Sequence, residues 1–128
     1  MSTDDYLYLT WRPPNGKIYY IVGTLSKKEH FEFAYGHAVD DAIKNGFTPL
    51  ISFPDLNKVY KSKDMFPAFA CRLPDKNRRD IENILQKYGM TEYDEYEFLK
   101  RSGARLPIDT LWFIEPQPVR FEGFKNEN

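Results

Sequence analysis

The fold is decided by a strand, turn and strand near the N-terminus: Tyr6-Leu7-Tyr8-Leu9-Thr10-Trp11, then Pro13-Pro14-Asn15-Gly16, then Lys17 to Leu25. The first segment alternates with strand propensity, the second is turn-forming, and the third is rich in β-branched and aromatic residues, which predicts a β-hairpin. After a turn at 26–28, the stretch Phe31-Glu32-Phe33-Ala34-Tyr35 has a period of two. An antiparallel meander of three strands is therefore expected.

After the meander, apolar residues recur every three or four positions, as they do in helices. The sequence predicts three helices: His37 to Lys44 ending near Gly46, Lys76 to Tyr88 with Asn77 as its cap and Gly89 as its stop, and Thr91 to Arg101 with Thr91 or Asp94 as its cap and Gly103 as its stop. Residues 49–63 are predicted to be an extended connector with no secondary structure of their own.

The predicted fold class is α+β. Thr110 to Ile114 is expected to be a last strand, so a small antiparallel sheet, made of the N-terminal meander plus a C-terminal strand, packs with about three helices. We expect a single domain over residues 1–128, with a core of about 6–116 and a frayed tail over 117–128.

Composition limits the classes of function. The chain has 128 residues, and 18 Lys and Arg nearly balance 19 Asp and Glu, so no strong overall charge attracts it to nucleic acid or anionic membranes. Cys71 lies among apolar neighbours and is predicted to be a buried, inert thiol. We see no signal-peptide pattern and no transmembrane-length run, and we expect a cytoplasmic protein.

No residue pattern predicts catalysis. Asp40 and Asn45 have the spacing of the base and magnesium ligand in kinase catalytic loops, but the chain lacks a glycine-rich phosphate loop and is too short for a kinase core. Surface positions on a helix are the better interpretation. His30 and His37 have no recognised zinc spacing with Cys71. We expect no enzymatic activity, no cofactor and no metal.

Two clusters of basic residues leave a nucleic-acid function open. They are Arg72, Lys76, Arg78 and Arg79, and then Lys100, Arg101 and Arg105. Acidic residues dilute the first cluster, and mixed clusters of this kind are usually solvated helix faces.

The densest apolar stretch runs from Met65 to Pro74, follows a polar loop and contains two prolines, Pro67 and Pro74. Its ordinary role is to form core. Aromatic residues beside an exposed loop can also form a preorganised docking surface, because aromatic side chains and Arg supply much of the energy of protein interfaces. The sequence leaves both interpretations open.

These elements and motifs resemble the N-terminal subdomain of HipA-type serine/threonine kinases. The most specific match is Phe66-Pro67-Ala68-Phe69 followed by Arg72-Leu73-Pro74-Asp75, and weaker ones are Val22-Gly23-Thr24-Leu25, Phe31 to Tyr35, Pro49-Leu50 and Phe53-Pro54. The resemblance covers residues 6–116. The chain departs from the family at Asp109-Thr110, where the family often has a Gly-Ala pair.

The resemblance implies a non-catalytic regulatory binding protein of the bacterial cytosol. A free-standing copy is similar to the HipS-like antitoxin of three-gene systems, which binds and suppresses a HipA-like kinase lacking its own N-terminal subdomain, with a DNA-binding antitoxin subunit as a further partner. The expected contact residues are Tyr60, Phe66, Phe69, Arg72 and Asp75. The alternative is a nucleic-acid-associated accessory module, related to the domains that precede HIRAN modules.

Overall fold

The computed structural model describes residues 5–116. Along this range the elements are β1 (Asp5–Trp11), β2 (Tyr20–Lys27), β3 (Phe31–Tyr35), α1 (Val39–Lys44), β4 (Tyr60–Ser62), α2 (Pro67–Ala70), α3 (Ile81–Lys87), α4 (Glu95–Ser102) and β5 (Leu111–Ile114). The predicted α+β class is confirmed. The tail predicted to be frayed, 117–128, lies outside the described residues.

One antiparallel sheet joins the described strands in the order β4-β3-β2-β1-β5. Strand β1 lies between β2 and β5, with Leu7 opposite Leu25 and Leu9 opposite Phe113. The register between β1 and β2 shifts once, between Leu9 and Thr10. The first and last described strands are therefore neighbours in the sheet.

The core is rich in aromatic rings because alternate strand residues on one face of the sheet meet the helices and loops. Phe33 of β3 packs against Phe53, with ring centroids 4.6 Å apart. Phe69 of α2 lies 5.3 Å from Phe33 and 5.0 Å from Phe113 of β5, also measured between centroids. These rings join the sheet to α2 and to the loop before β4.

Both ends of α4 carry residues that favour helix caps. Asp94 is the N-cap, and its Oδ1 accepts a hydrogen bond of 2.9 Å from the Glu97 amide. Thr91, the other cap candidate, lies outside the helix. Gly103 ends α4 in the left-handed region, with φ of 76°, as glycine is suited to do.

Two local predictions are wrong, and one short helix was not predicted. Strand β4 forms inside the predicted connector because residues 60–62 pair with β3. Helix α3 begins at Ile81 rather than Lys76, and Asn77 does not cap it: its amide instead donates to Oδ1 of Asp75 over 2.8 Å, which closes a local turn. The one-turn helix α2, which has a proline in its first turn, was not predicted.

Among the described helices, none is long and apolar enough to cross a membrane.

Candidate functional site

Three of the predicted contact residues lie together in an aromatic cluster formed by Phe53, Tyr60, Phe66 and Phe69. The ring of Phe53 lies 4.9 Å from Tyr60, 5.2 Å from Phe66 and 5.4 Å from Phe69, between centroids. Phe66 is 7% exposed and Phe69 is 1% exposed. The structure thus gives both phenylalanines the role of core, and a partner could reach them only if this core opened.

Tyr60 is only half-buried and lies at the edge of the aromatic cluster. Its hydroxyl accepts a hydrogen bond of 2.8 Å from the Asp55 amide, so the side chain also holds the loop before β4. Of the three aromatic contact candidates, Tyr60 is the one with a surface for a partner to touch.

Arg72 ties the segment after α2 to β5. Its Nη1 and Nη2 donate to Oδ2 and Oδ1 of Asp109 over 2.9 and 3.0 Å, while Nε donates to the Ala104 carbonyl and Nη2 to the Leu111 carbonyl. The Arg72 side chain is 8% exposed. The hydrogen bonds from Arg72 lower the pKa of Asp109 below its ordinary value, against the opposing effect of burial.

Asp75 is exposed. It lines an open groove of about 700 Å³ together with Pro67, Cys71, Tyr93 and Glu95. The five predicted contact residues therefore do not form one surface, because three share the core cluster, Arg72 faces β5 and Asp75 faces this groove.

Cys71 is exposed, so the prediction of a buried thiol is wrong. Cys71 is the C-cap of α2 and follows the buried Phe69 by two residues, a spacing that turns side chains to different sides of a helical turn. Its Sγ lies 3.5 Å from the Ala68 carbonyl. Within residues 5–116, no group of three or more His, Cys, Asp and Glu side chains could hold a metal ion.

Most residues of the predicted basic clusters are engaged within the fold. Arg78 pairs with Asp80 over 2.6 Å, and Arg101 and Lys100 pair with Glu97 over 3.1 and 3.3 Å. The guanidinium of Arg105 lies 4.3 Å from the ring centroid of Trp112. These contacts reduce the positive charge that the clusters can offer to phosphate.

A second surface, which the sequence did not predict, lies at the end of the sheet where β1 finishes. An open groove of about 510 Å³ is lined there by Trp11, Phe47, Leu50, Ile108 and Leu111, among others. We call it the loop-end groove. The signal for it in the sequence is faint: Ile108 is a large apolar residue between Pro107 and Asp109, in a segment that otherwise forms turns.

Two large, exposed apolar side chains belong to the segments that form the loop-end groove. Ile108 on its wall is 85% exposed, and Ile51, next to the lining residue Leu50, is 97% exposed. Ile18 and Tyr19 are also exposed but do not line this groove, and the Tyr19 ring lies 5.7 Å from that of Trp112, between centroids. Large exposed apolar groups in one place are a common mark of an interaction surface.

A family model described as the HipA N-terminal domain matches residues 19–107. The chain belongs to the HipA N-terminal domain family. The resemblance inferred from Phe66 to Asp75 is thereby confirmed, and the match extends from just before β2 to beyond α4. Strands β1 and β5 of this HipA N-terminal domain lie outside the matched range. Neither a curated protein nor a solved structure matches the chain.

Proposed function

We propose that this chain is a non-catalytic regulatory binding protein, an antitoxin that binds and suppresses a HipA-like serine/threonine kinase lacking its own N-terminal domain. The observation that carries the proposal is the family match over residues 19–107. The family description makes this domain the N-terminal part of HipA, so its natural neighbour is the remainder of a HipA chain.

A domain that binds its neighbour from a separate chain loses the high effective concentration that a covalent link provides, and its contacts must compensate. Stable protein interfaces bury roughly 800 Å² on each partner. The described surface totals 9058 Å², so an interface of that size would occupy about a tenth of it. The exposed apolar residues around the loop-end groove are consistent with such a contact.

The proposal assigns no chemical step to this chain. The chain suppresses the kinase by binding alone, since a bound partner can block the active-site region of a kinase or hold the kinase in an inactive arrangement. A DNA-binding antitoxin subunit is proposed as a further member of the complex.

The test uses the full chain and a purified HipA-type kinase that lacks its N-terminal domain, taken from the same genome. We expect saturable binding by isothermal titration calorimetry and a matching loss of kinase autophosphorylation. A kinase that retains its own N-terminal domain is the control, and it should bind more weakly because that surface is already occupied. Absence of binding to the first kinase would refute the proposal, and binding without loss of phosphorylation would refute the antitoxin role.

The nucleic-acid alternative predicts a different salt response. A complex based on phosphate contacts should weaken steeply between about 50 and 200 mM salt, whereas an apolar protein interface should change far less. Tight, salt-sensitive binding of the full chain to duplex DNA, in the absence of any kinase binding, would favour the accessory-module function instead.

A further inference from the structure

A third groove lies between the segment after α2, helices α3 and α4, and the turn after α4. It has a volume of about 520 Å³. Its lining combines apolar residues with three arginines and includes Ile84, Phe98, Leu106, Arg72, Arg78 and Arg105. Within residues 5–116, no Asp or Glu lines it. We call it the arginine groove, and the charges that line it are all positive.

Arg105 is exposed and is held above a buried aromatic ring. Its guanidinium carbon lies 4.3 Å from the ring centroid of Trp112, which is 8% exposed. A cation–π contact of this kind orients the guanidinium but leaves its charge in place. In the part of the chain that the structure describes, no carboxylate lies within 4.0 Å of Arg105. Arg105 is therefore an oriented cation that no anion of this range neutralises.

The backbone that carries Arg105 is fixed at the preceding residue, Ala104. Its φ is 52°, in the left-handed region that residues with a side chain rarely adopt. The Ala104 amide donates to the Ser102 hydroxyl over 3.0 Å, and the Ala104 carbonyl accepts from Nε of Arg72 over 3.0 Å. A conformation of this kind persists only where surrounding bonds hold it, and it occurs often at binding sites. The position of Arg105 is thus set before a partner binds, which lowers the entropic cost of binding.

The other two arginines of the groove differ in how they are held. Arg72 donates to both oxygens of Asp109 and is 8% exposed, so it forms a wall of the groove. Arg78 pairs with Asp80 over 2.6 Å, but the two side chains are 56% and 49% exposed, and solvent screens such a pair. Exchange of Asp80 for a carboxylate of a partner would therefore cost little.

The arginine groove adjoins the loop-end groove. Leu106 lines the first and the next residue, Pro107, lines the second. The Arg72–Asp109 pair joins the two, since Arg72 lines the arginine groove and Asp109 lines the loop-end groove. An interface of roughly 800 Å² can therefore cover both.

From the charge of its lining we infer that the arginine groove binds the carboxylate of an Asp or Glu in the kinase segment that contacts this chain. The inference rests on the proposed function and names the chemistry of its contact. The carboxylate accepts from Arg105, because a guanidinium can bind both carboxylate oxygens with parallel hydrogen bonds. The half-buried Ile84 and Leu106 receive the aliphatic groups beside that carboxylate.

The test measures, by calorimetry, the affinity of the full chain for the kinase lacking its N-terminal domain. Arg105→Glu reverses a charge in the groove, whereas Arg79→Glu reverses the charge of an exposed arginine that does not line it. Both variants change the net charge equally. We expect Arg105→Glu to weaken binding about tenfold or more and Arg79→Glu to weaken it less than about threefold.

A second variant guards against a loss of folding. Arg105→Met removes the charge but keeps an unbranched side chain that can cover Trp112, and it should still weaken binding about threefold or more. Circular dichroism should show all three variants folded, because Arg79 and Arg105 are exposed.

Cys71 provides an independent reporter, because it is the single cysteine of the chain, is exposed and lines the arginine groove. Bound kinase should slow its alkylation by iodoacetamide severalfold, measured by mass spectrometry of the Cys71 peptide. An unchanged alkylation rate in the complex would overturn the inference.

The remaining outcomes separate the inference from the proposed function. If the wild-type chain and Arg105→Glu bind the kinase equally well, or if Arg79→Glu weakens binding as much, the groove is not the site although the proposed function stands. If Arg105→Glu loses only affinity for duplex DNA, the groove binds phosphate and the inference is overturned. If the wild-type chain does not bind the kinase, both the inference and the proposed function are overturned.

Discussion

Arg72 shows how a single side chain can link distant parts of this fold. It donates to Asp109, to the Ala104 carbonyl and to the Leu111 carbonyl, so one planar guanidinium joins the end of α2, the turn after α4 and the start of β5. Only Arg presents enough donors in a fixed plane to make all of these bonds. The sequence marked Arg72 as a partner contact, and the structure shows it bound within the domain.

The pKa of Asp109 connects this pair to acid stability. Because Arg72 lowers that pKa below its ordinary value of 3.8, the pair stabilises the fold fully above pH 3.8, and this contribution is lost as the pH falls through the lower folded-state pKa. Asp109→Asn should therefore lower the free energy of unfolding by about 1–3 kcal/mol at pH 7. The deficit should shrink under acid, as urea unfolding at a series of pH values would show.

Asp80→Asn is the control for this titration. The Arg78–Asp80 pair is exposed on both sides, and exposed ion pairs are screened by solvent, so its loss should leave the unfolding curve unchanged. Parallel pH profiles for Asp109→Asn and the wild type would contradict the role given to the Arg72–Asp109 pair.

Tyr96 makes a second prediction at the scale of the residue. Its ring is 1% exposed, and its hydroxyl has no hydrogen-bond partner among the described residues. Burial raises the pKa of Tyr96, with nearby carboxylates adding to the shift. Tyr96→Phe keeps the ring beside the ammonium groups of Lys27 and Lys100, and it should leave the free energy of unfolding unchanged or raise it by up to about 1 kcal/mol.

Thermal and urea unfolding of Tyr96→Phe measure this directly. A loss greater than about 1 kcal/mol would mean that the hydroxyl makes a bond in the folded protein, which the geometry does not predict. Tyr35→Phe is the contrasting variant, because the Tyr35 hydroxyl bonds both Leu50 and Phe53 and its removal should destabilise the chain.

At the scale of the element, Gly103 controls how α4 joins β5. Its φ of 76° is unfavourable for residues with a side chain, and a Cβ there would lie 3.2 Å from the Phe113 carbonyl oxygen. Its own carbonyl accepts from the Phe113 amide over 2.8 Å. Gly103→Ala should therefore lower the free energy of unfolding by about 1–2 kcal/mol, measured by urea unfolding.

Gly36→Ala is the matched control, because nothing lies within 4 Å of a Cβ at that position. The Gly36 amide keeps its bond to the Val22 carbonyl in the variant. Gly36→Ala should leave the free energy of unfolding unchanged or raise it slightly, because alanine lowers the entropy of the unfolded chain. Equal destabilisation by the two substitutions would contradict the role given to the left-handed turn at Gly103.

Elements with a complete local signal were predictable from the sequence. The alternation of Phe31 to Tyr35 predicted β3, and Gly103 predicted the end of α4. For the start of α4 the sequence offered Thr91 or Asp94 as the cap, and Asp94 is the one that the structure shows. Strand β4 was missed because three residues carry little local signal and form a strand only by pairing with β3. The start of α3 was placed too early because the Asp75 side chain holds the Asn77 amide in a turn.

The candidate site was less predictable than the fold. The high density of apolar residues from Met65 to Pro74 correctly indicated that Phe66 and Phe69 are buried, but it could not tell whether they form core or an interface. The same density led to the wrong prediction that Cys71 is buried. The loop-end groove draws its walls from three loops that only the sheet brings together. Such a surface depends on tertiary register, which no local pattern in the sequence encodes.

At the scale of the whole molecule, the two ends of the described chain stabilise each other. The Thr10 hydroxyl donates to the Trp112 carbonyl over 2.9 Å, the Arg12 amide to the Thr110 carbonyl over 3.3 Å, and the Thr110 hydroxyl to the Arg12 carbonyl. Strand β1 also supplies Leu7, Leu9 and Trp11 to the core. The folding unit is therefore larger than the range matched by the family.

A fragment restricted to residues 19–107 tests this conclusion. It would lack β1 and β5, leaving the β1 edge of β2 unpaired and exposing Val22, Leu25 and Phe69 to water. Because this loss removes both backbone pairing and a large part of the apolar burial, we expect no cooperative unfolding transition and poor dispersion of amide NMR signals. Residues 5–116 should unfold cooperatively, as should the full chain. A fragment 19–107 with the same urea midpoint as residues 5–116 would show instead that β1 and β5 are additions to a core that folds without them.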